Sequence, residues 1–251
     1  DDLTTSTVDD STSNGNDGTK VAANHPAEGS GYISKGQFYA DSTSYYINSG
    51  TASSLNTTNS FTISGWMNFT DFGTGLATPF EALMWKGDGN TDSTINYFAE
   101  TAPGSVMRVG YAVSGSYKIL DSTVALSSSR WYFITGTYDG TSNVLSLYID
   151  GDLNTSGVQN ADPSTNTSPL TIGSCSVSGN CDNMTGTIDE VHISNVARSA
   201  GWVKTEYNNQ LSPSSFVALG GRQSQGRISY TSSSSVSTAP AYKIRGGVKF
   251  R

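Results

Sequence analysis

Charge is scarce in this sequence. Of its 251 residues, 14% are Asp, Glu, Lys or Arg, against about a quarter in an ordinary soluble domain. Histidine is scarcer: His25 and His192 are the only two. A Ser-His-Asp arrangement needs a histidine that can face a serine. His192 sits in the strand-like stretch IDEVHIS, where packing accounts for it, and His25 precedes Pro26 in a loop-like segment. No phosphate-cradling glycine loop of the Walker type is present, which removes the commonest nucleotide chemistry. No apolar run approaches the roughly 18 residues that a membrane-spanning helix requires. Cysteine is limited to Cys175 and Cys181. A zinc site would need two further ligands. A close pair in a hydroxyl-rich, Lys-poor chain reads as a local disulfide of a secreted protein, with two free thiols as the alternative.

What the chain has instead is hydroxyl and glycine. Ser and Thr number 69 and Gly 27, residues that compete poorly for helix interiors. The 26 aromatics provide enough apolar surface for one sizeable core. Period-two segments bounded by turn residues predict eleven strands: Tyr32–Phe38, Tyr45–Asn48, Phe61–Phe69, Phe80–Lys86, Ile95–Ala99, Val106–Val113, Lys118–Leu120, Trp131–Tyr138, Val144–Ile149, Leu170–Ile172 and Thr187–Ile193. Asp139-Gly140 and Asp150-Gly151 bracket one of them as hairpin punctuation. A helix is expected over Ser199–Gln210, with Ser199 as its N-cap. These elements imply an all-β, two-sheet antiparallel sandwich with one short helix near its C-terminal end.

The charge is unevenly divided. Residues 1–221 carry 8 basic and 21 acidic side chains, a net of −13, whereas residues 222–251 carry 6 basic and no acidic ones, a net of +6. The acidic body repels phosphate and disfavours nucleic acid as a partner. Three parts follow: a sandwich over 1–221, a Ser/Thr-rich linker over 222–240, and a basic strand over 241–251. In that strand Tyr242, Ile244, Val248 and Phe250 share one face, and Lys243, Arg245, Lys249 and Arg251 the other. A lone strand is unstable in water, so this one is expected to pair with an edge of its own body or of a neighbour. Beginning at Asp1 without Met or a signal peptide, the chain reads as a processed, exported form found outside the cell or at its surface.

Five stretches resemble a known family. DSTSNGNDGT (10–19) and GQFYADSTSYYI (36–47) are similar to its opening landmarks, and SFTISGWMNF (60–69) and WYFITGTYDGTSNVLSLYIDG (131–151) to its central strands. GTIDEVHISNVARSAGWVKTEYNNQLSPSSFVALG (186–220) is close to its closing strand and helix. Together they resemble the laminin-G-like, concanavalin-A-like jelly rolls of bacterial and archaeal surface proteins. Some members of that superfamily are glucanases with a Glu-x-Asp-x-x-Glu cluster on one strand. No strand here has it, and the adjacent Asp189 and Glu190 are expected on opposite faces, so no enzyme activity is expected. The resemblance implies a structural calcium held by Asp189 with Asp10, Asn16 or Asp41; the alternative is that Asp189 caps a turn or pairs with a base. Trp66, Trp131 and Trp202 fall at the family's packing positions. Trp85 stands where the family has a small residue; with Tyr97, Arg108 and Tyr117 it would line a concave glycan-binding face, the alternative being sheet-face packing. Of five N-x-S/T sequons, Asn154 and Asn166 lie in the best-exposed expected loops. The reading is a non-catalytic exported surface protein. It is either an assembly subunit docking by its C-terminal strand onto another copy or a surface protein, or a lectin-like adhesion module with glycan partners.

Overall fold

The structure is a computed structural model that describes residues 6–21, 25–40, 45–70, 80–89, 95–177 and 181–212. Among the described residues fifteen strands are formed: β1 (Thr7–Val8), β2 (Gly18–Lys20), β3 (Ala27–Ser30), β4 (Lys35–Tyr39), β5 (Ile47–Asn48), β6 (Phe61–Phe69), β7 (Ala82–Lys86), β8 (Ile95–Ala102), β9 (Val106–Val113), β10 (Ser116–Asp121), β11 (Tyr132–Asp139), β12 (Val144–Ile149), β13 (Asp152–Val158), β14 (Leu170–Ile172) and β15 (Gly186–Ser194). They pair antiparallel into two sheets. One has eight strands in the order β1-β2-β5-β14-β7-β8-β9-β10, and the other seven in the order β13-β12-β11-β6-β15-β4-β3. Each of the eleven expected strands is present. The four unexpected ones, β1, β2, β3 and β13, are short or polar and lack an alternating apolar face.

Between the sheets lies one apolar core, in which Phe61, Ile63 and Met67 of β6 meet Tyr97 and Ala99 of β8, Val109 and Tyr111 of β9, and Leu145 and Leu147 of β12. The seven-stranded sheet is apolar on its outer side too, because the helix α1 (Ala200–Leu211) lies there. Ser199 caps α1 by accepting the Trp202 N–H, as expected. Val203 is buried, Tyr207 packs on Trp66 and Phe133, and the Trp66 indole N–H donates to Gln210. His192 Nδ1 lies 2.9 Å from Glu206 Oε1, tying the helix to β15. Of the tryptophans expected to pack, Trp66 does; Trp202 instead stands partly exposed on α1 with the Arg198 guanidinium over its ring.

Hairpin chemistry follows the sequence closely. Asp150 and Gly151 both adopt positive φ, 54° and 78°, and Ile149 pairs with Asp152 across them. This is the two-residue turn whose twist matches antiparallel strands. No helix among the described residues is long and apolar enough to cross a membrane. The body's expected end at 221, the 222–240 linker and the 241–251 strand, with Tyr242, Ile244, Arg245, Val248, Lys249, Phe250 and Arg251, lie outside the described residues.

Candidate functional site

At one side of the sandwich, β1, β2, β5 and β14 of the first sheet face β4 and β15 of the second without filling the space between them. The result is a cavity of about 360 Å³, a size that suits a small ligand. Its floor is apolar, from Ile47, Leu55, Leu170, Ile172 and Ile188. Its rim is polar and rich in acceptors: Asp9, Asp10, Asn14 and Asn16 from the 9–17 loop, Gln37 from β4, and Asp189, Glu190 and His192 from β15.

Each wall has a local cause. The 9–17 loop is knotted around Asp10, whose carboxylate accepts from Thr12 N, Thr12 Oγ1 and Asn16 N at 2.8–2.9 Å. Partial burial pulls its pKa upward, but those hydrogen bonds outweigh it and hold the carboxyl below its ordinary value. Asn16 Oδ1 accepts from the Ser54 hydroxyl, joining the loop to the 3₁₀ turn at Ser53–Leu55. On the opposite wall, Asp189 Oδ2 accepts the Ile33 N–H at 2.8 Å, and Oδ1 accepts that of Glu190. Burial raises the Asp189 pKa. Gly31 makes the approach possible, since a Cβ there would lie 2.5 Å from Asp189 Oδ2. Between the walls, the buried Oε1 of Gln37 has no hydrogen-bond partner among the described residues. A buried acceptor left unmatched is costly.

Asp10, Asn16 and Asp189, named from the sequence as calcium ligands, are thus brought to one cavity. As arranged they do not fit the ion. Calcium needs six to eight converging oxygens, whereas both carboxylates are turned onto backbone N–H groups and act as loop caps. Among the described residues, the one cluster of three potential metal ligands is Cys175, Cys181 and Asp182, and its cysteines are joined in a disulfide. Asp41 lies outside the described residues. The regular pleat on which opposite faces for Asp189 and Glu190 were expected is interrupted here. A register shift interrupts β15 between Asp189 and His192, Glu190 adopts φ 48°, and both acids border the cavity.

The glycan-face reading of Trp85, Tyr97, Arg108 and Tyr117 fails on burial. Trp85 and Phe98 do lie on the outer face of the eight-stranded sheet, 4.4 Å apart, but the Cys175–Cys181 disulfide loop covers them. Together with Ile95, Ala112 and Cys175 they form a second small core, in which Trp85 is 0% exposed. Tyr97 points the other way, into the main core, and donates to the Leu55 carbonyl. Arg108 is held by both oxygens of Asp121. Tyr117, at 40% exposure, meets Phe98 edge-on. Sequence does not reveal that a loop folds back over an outer sheet face; the cysteine pair was the available signal.

Under that loop sits a pair of buried acids. Glu100 of β8 and Asp182 of the loop are each 4% exposed and hydrogen-bonded to one another. Burial first, and then the charge of Asp182, pushes the Glu100 pKa up to about 9, with Arg108 at 3.9 Å pulling the other way. Burial raises Asp182 as well, against the hydrogen bond from Glu100. The Asp182 carbonyl accepts the Ala82 N–H, anchoring the loop to β7.

The sequons are less open than expected. Asn166 is half-buried: its Oδ1 accepts from the buried Lys86 ammonium at 2.8 Å, and its Nδ2 donates to the Lys86 carbonyl. Asn154 is also half-buried, its Oδ1 accepting the Thr123 N–H.

Comparison with known proteins agrees with this architecture. No curated protein sequence matches the chain. Among solved structures, the binding domain of Paraclostridial Mosquitocidal Protein 1 superposes with a TM-score of 0.63 at 18% identity, over 80% of this chain and 49% of that one. The chain therefore spans about half the length of that structure. Domain 4 of AbnA, a GH43 extracellular arabinanase from Geobacillus stearothermophilus in complex with arabinotriose, gives 0.53 at 17% identity, over 71% and 79% of the two chains. The CBM40 module of the Ruminococcus gnavus IT-sialidase, bound to α2,3-sialyllactose, gives 0.52 at 13% identity, over 62% and 86%. At these identities the likeness is one of fold. A laminin G family model, by contrast, matches the sequence itself over residues 41–204, more than half of its length. The chain belongs to the concanavalin A-like lectin/glucanase superfamily.

Proposed function

We propose that this chain is a non-catalytic, exported carbohydrate-binding module that takes a sugar into the cavity between its sheets. The observation that carries this reading is the cavity itself, an apolar floor with a polar rim that includes Gln37. A sugar offers a weakly polar ring for the floor and hydroxyl donors for the rim. Relatives in fold include domains solved with arabinotriose and with sialyllactose. A binding role without catalysis is favoured because hydrolysis needs two working carboxyls. Asp189 is taken up as a cap, and no strand carries the Glu-x-Asp-x-x-Glu cluster of the superfamily's glucanases. Export is supported by the disulfide, which persists in oxidising compartments. Replacing Gln37 by Ala is expected to weaken sugar binding by about tenfold, the effect of losing one well-placed hydrogen bond in a desolvated site. Isothermal titration of both proteins checks it, and equal affinities would remove Gln37 from the site.

A second reading rests on the charge division. The +6 segment over 222–251 and the −13 body are complementary. The seven-stranded sheet ends in β13 and β3, and the eight-stranded sheet in β1 and β10, each paired on one side among the described residues. In this reading the C-terminal strand of one copy adds to such an edge of the next, making the protein an assembly subunit as well. The full chain is then expected to self-associate, and a version ending at Gly221 to stay monomeric. Light scattering at low and high salt checks both, because attraction between exposed charges is screened within about 10 Å at 0.1 M salt. Monodisperse monomers in both cases would end the assembly reading.

A further inference from the structure

The cavity's charges narrow its ligand further. Four carboxylates, Asp9, Asp10, Asp189 and Glu190, stand in the walls against two basic side chains, Lys35 and His192. Each base already has an acidic neighbour. Lys35 Nζ lies 3.8 Å from Glu28 Oε1, while His192 contacts Glu206 at 2.9 Å and Glu190 at 3.8 Å. Arginine, whose planar fork suits carboxylates best, is missing from the walls among the described residues. The three described arginines lie elsewhere, Arg108 on Asp121, Arg130 on Asp150 and Arg198 over Trp202. The remaining polar lining, including Asn14, Asn16, Gln37 and Ser54, offers both acceptors and donors. Asp10 and Asn16 hold side-chain oxygens at the rim, and Gln37 Oε1 is buried without a partner among the described residues.

Taking the cavity as a sugar site, we infer that it admits hydroxyl-rich ligands carrying no negative charge, neutral or amine-bearing sugars, and turns away acidic ones. Neutral hydroxyls satisfy the acceptors without a charge conflict, an ammonium gains from the four acids, and a carboxylate meets like charge in a partly desolvated space. This separates the chain from the sialyllactose-bound relative despite the shared fold.

The test is a length-matched panel titrated into the full chain: neutral oligosaccharides including arabinotriose, glucosamine oligomers, and acidic ones including galacturonate oligomers and sialyllactose. Neutral and amine-bearing members are expected to bind about tenfold or more tightly than acidic ones. Raising the salt from about 0.05 to 0.5 M should weaken the glucosamine series and leave the neutral series unchanged. The double variant Asp9→Asn, Glu190→Gln touches neither loop cap; it should narrow the gap to acidic sugars at least about threefold. Acidic members binding as well as neutral ones would overturn the charge selection while leaving the sugar site standing. Binding confined to acidic members would do the same. Failure of every member to bind would overturn the sugar site and the selection together.

Discussion

Exchanging Glu100 for Gln is expected to raise the melting temperature at pH 8 by about 5 °C, the shift produced by one to two kcal/mol in a chain of this size, while changing little at pH 5. The cause is the proton that burial forces Glu100 to keep. Its pKa is lifted from the ordinary glutamate value of 4.5 to about 9 in the folded protein. Between those limits the folded state holds a proton that the unfolded chain has released. Stability therefore falls as pH rises, by at most about 1.4 kcal/mol per pH unit for one such group. The contribution is complete below about pH 4.5 and lost by about pH 9. Asp182, also raised by burial, adds a slope of the same sign at lower pH. Gln keeps a donor for the Asp182 carboxylate without a charge to bury, so the Glu100Gln protein should show a flatter profile. Differential scanning calorimetry from pH 5 to 9 reads this directly. A variant as destabilised at pH 8 as at pH 5 would mean that Glu100 is not protonated in the fold.

Trp85→Ala is expected to cost about 3–5 kcal/mol of stability, the range for removing a fully buried large aromatic, and to leave sugar affinity of the folded fraction unchanged. Trp85 supports the small core formed with Phe98, Ile95, Ala112 and Cys175, and so the seating of the disulfide loop. Denaturant unfolding gives the first quantity and titration of the folded variant the second. A stable protein that has lost its sugar would return Trp85 to the binding site and remove the cavity from it.

The central strands were legible because Phe61, Ile63, Met67 and Phe69 alternate within nine residues, and alternation is local. The Asp150-Gly151 turn and the Ser199 cap were legible for the same reason. β13, with the sequence DLNTSGV, was not, because it joins the sheet through backbone pairing with β12 rather than through an apolar face. At the site, the sequence pointed to Asp10, Asn16 and Asp189 together but not to their roles. Whether a carboxylate holds a metal or caps a loop depends on where Ile33 N–H and Asn16 N–H point, which is a tertiary fact. Gln37 had no signal of its own, since only the closure of β4 against β14 and β15 isolates its carbonyl. Trp85 was misplaced because alternation tells two faces of a strand apart, but not an open face from one roofed by a distant loop.

The most direct measurement is amide shift mapping of the full chain titrated with neutral oligosaccharides. The account predicts perturbations concentrated at Asp10–Asn16, Gln37, Ser54 and Ile188–Ile193, the walls of one cavity. Perturbations centred instead on Tyr117 and the outer face of the eight-stranded sheet, or none with any sugar, would contradict it.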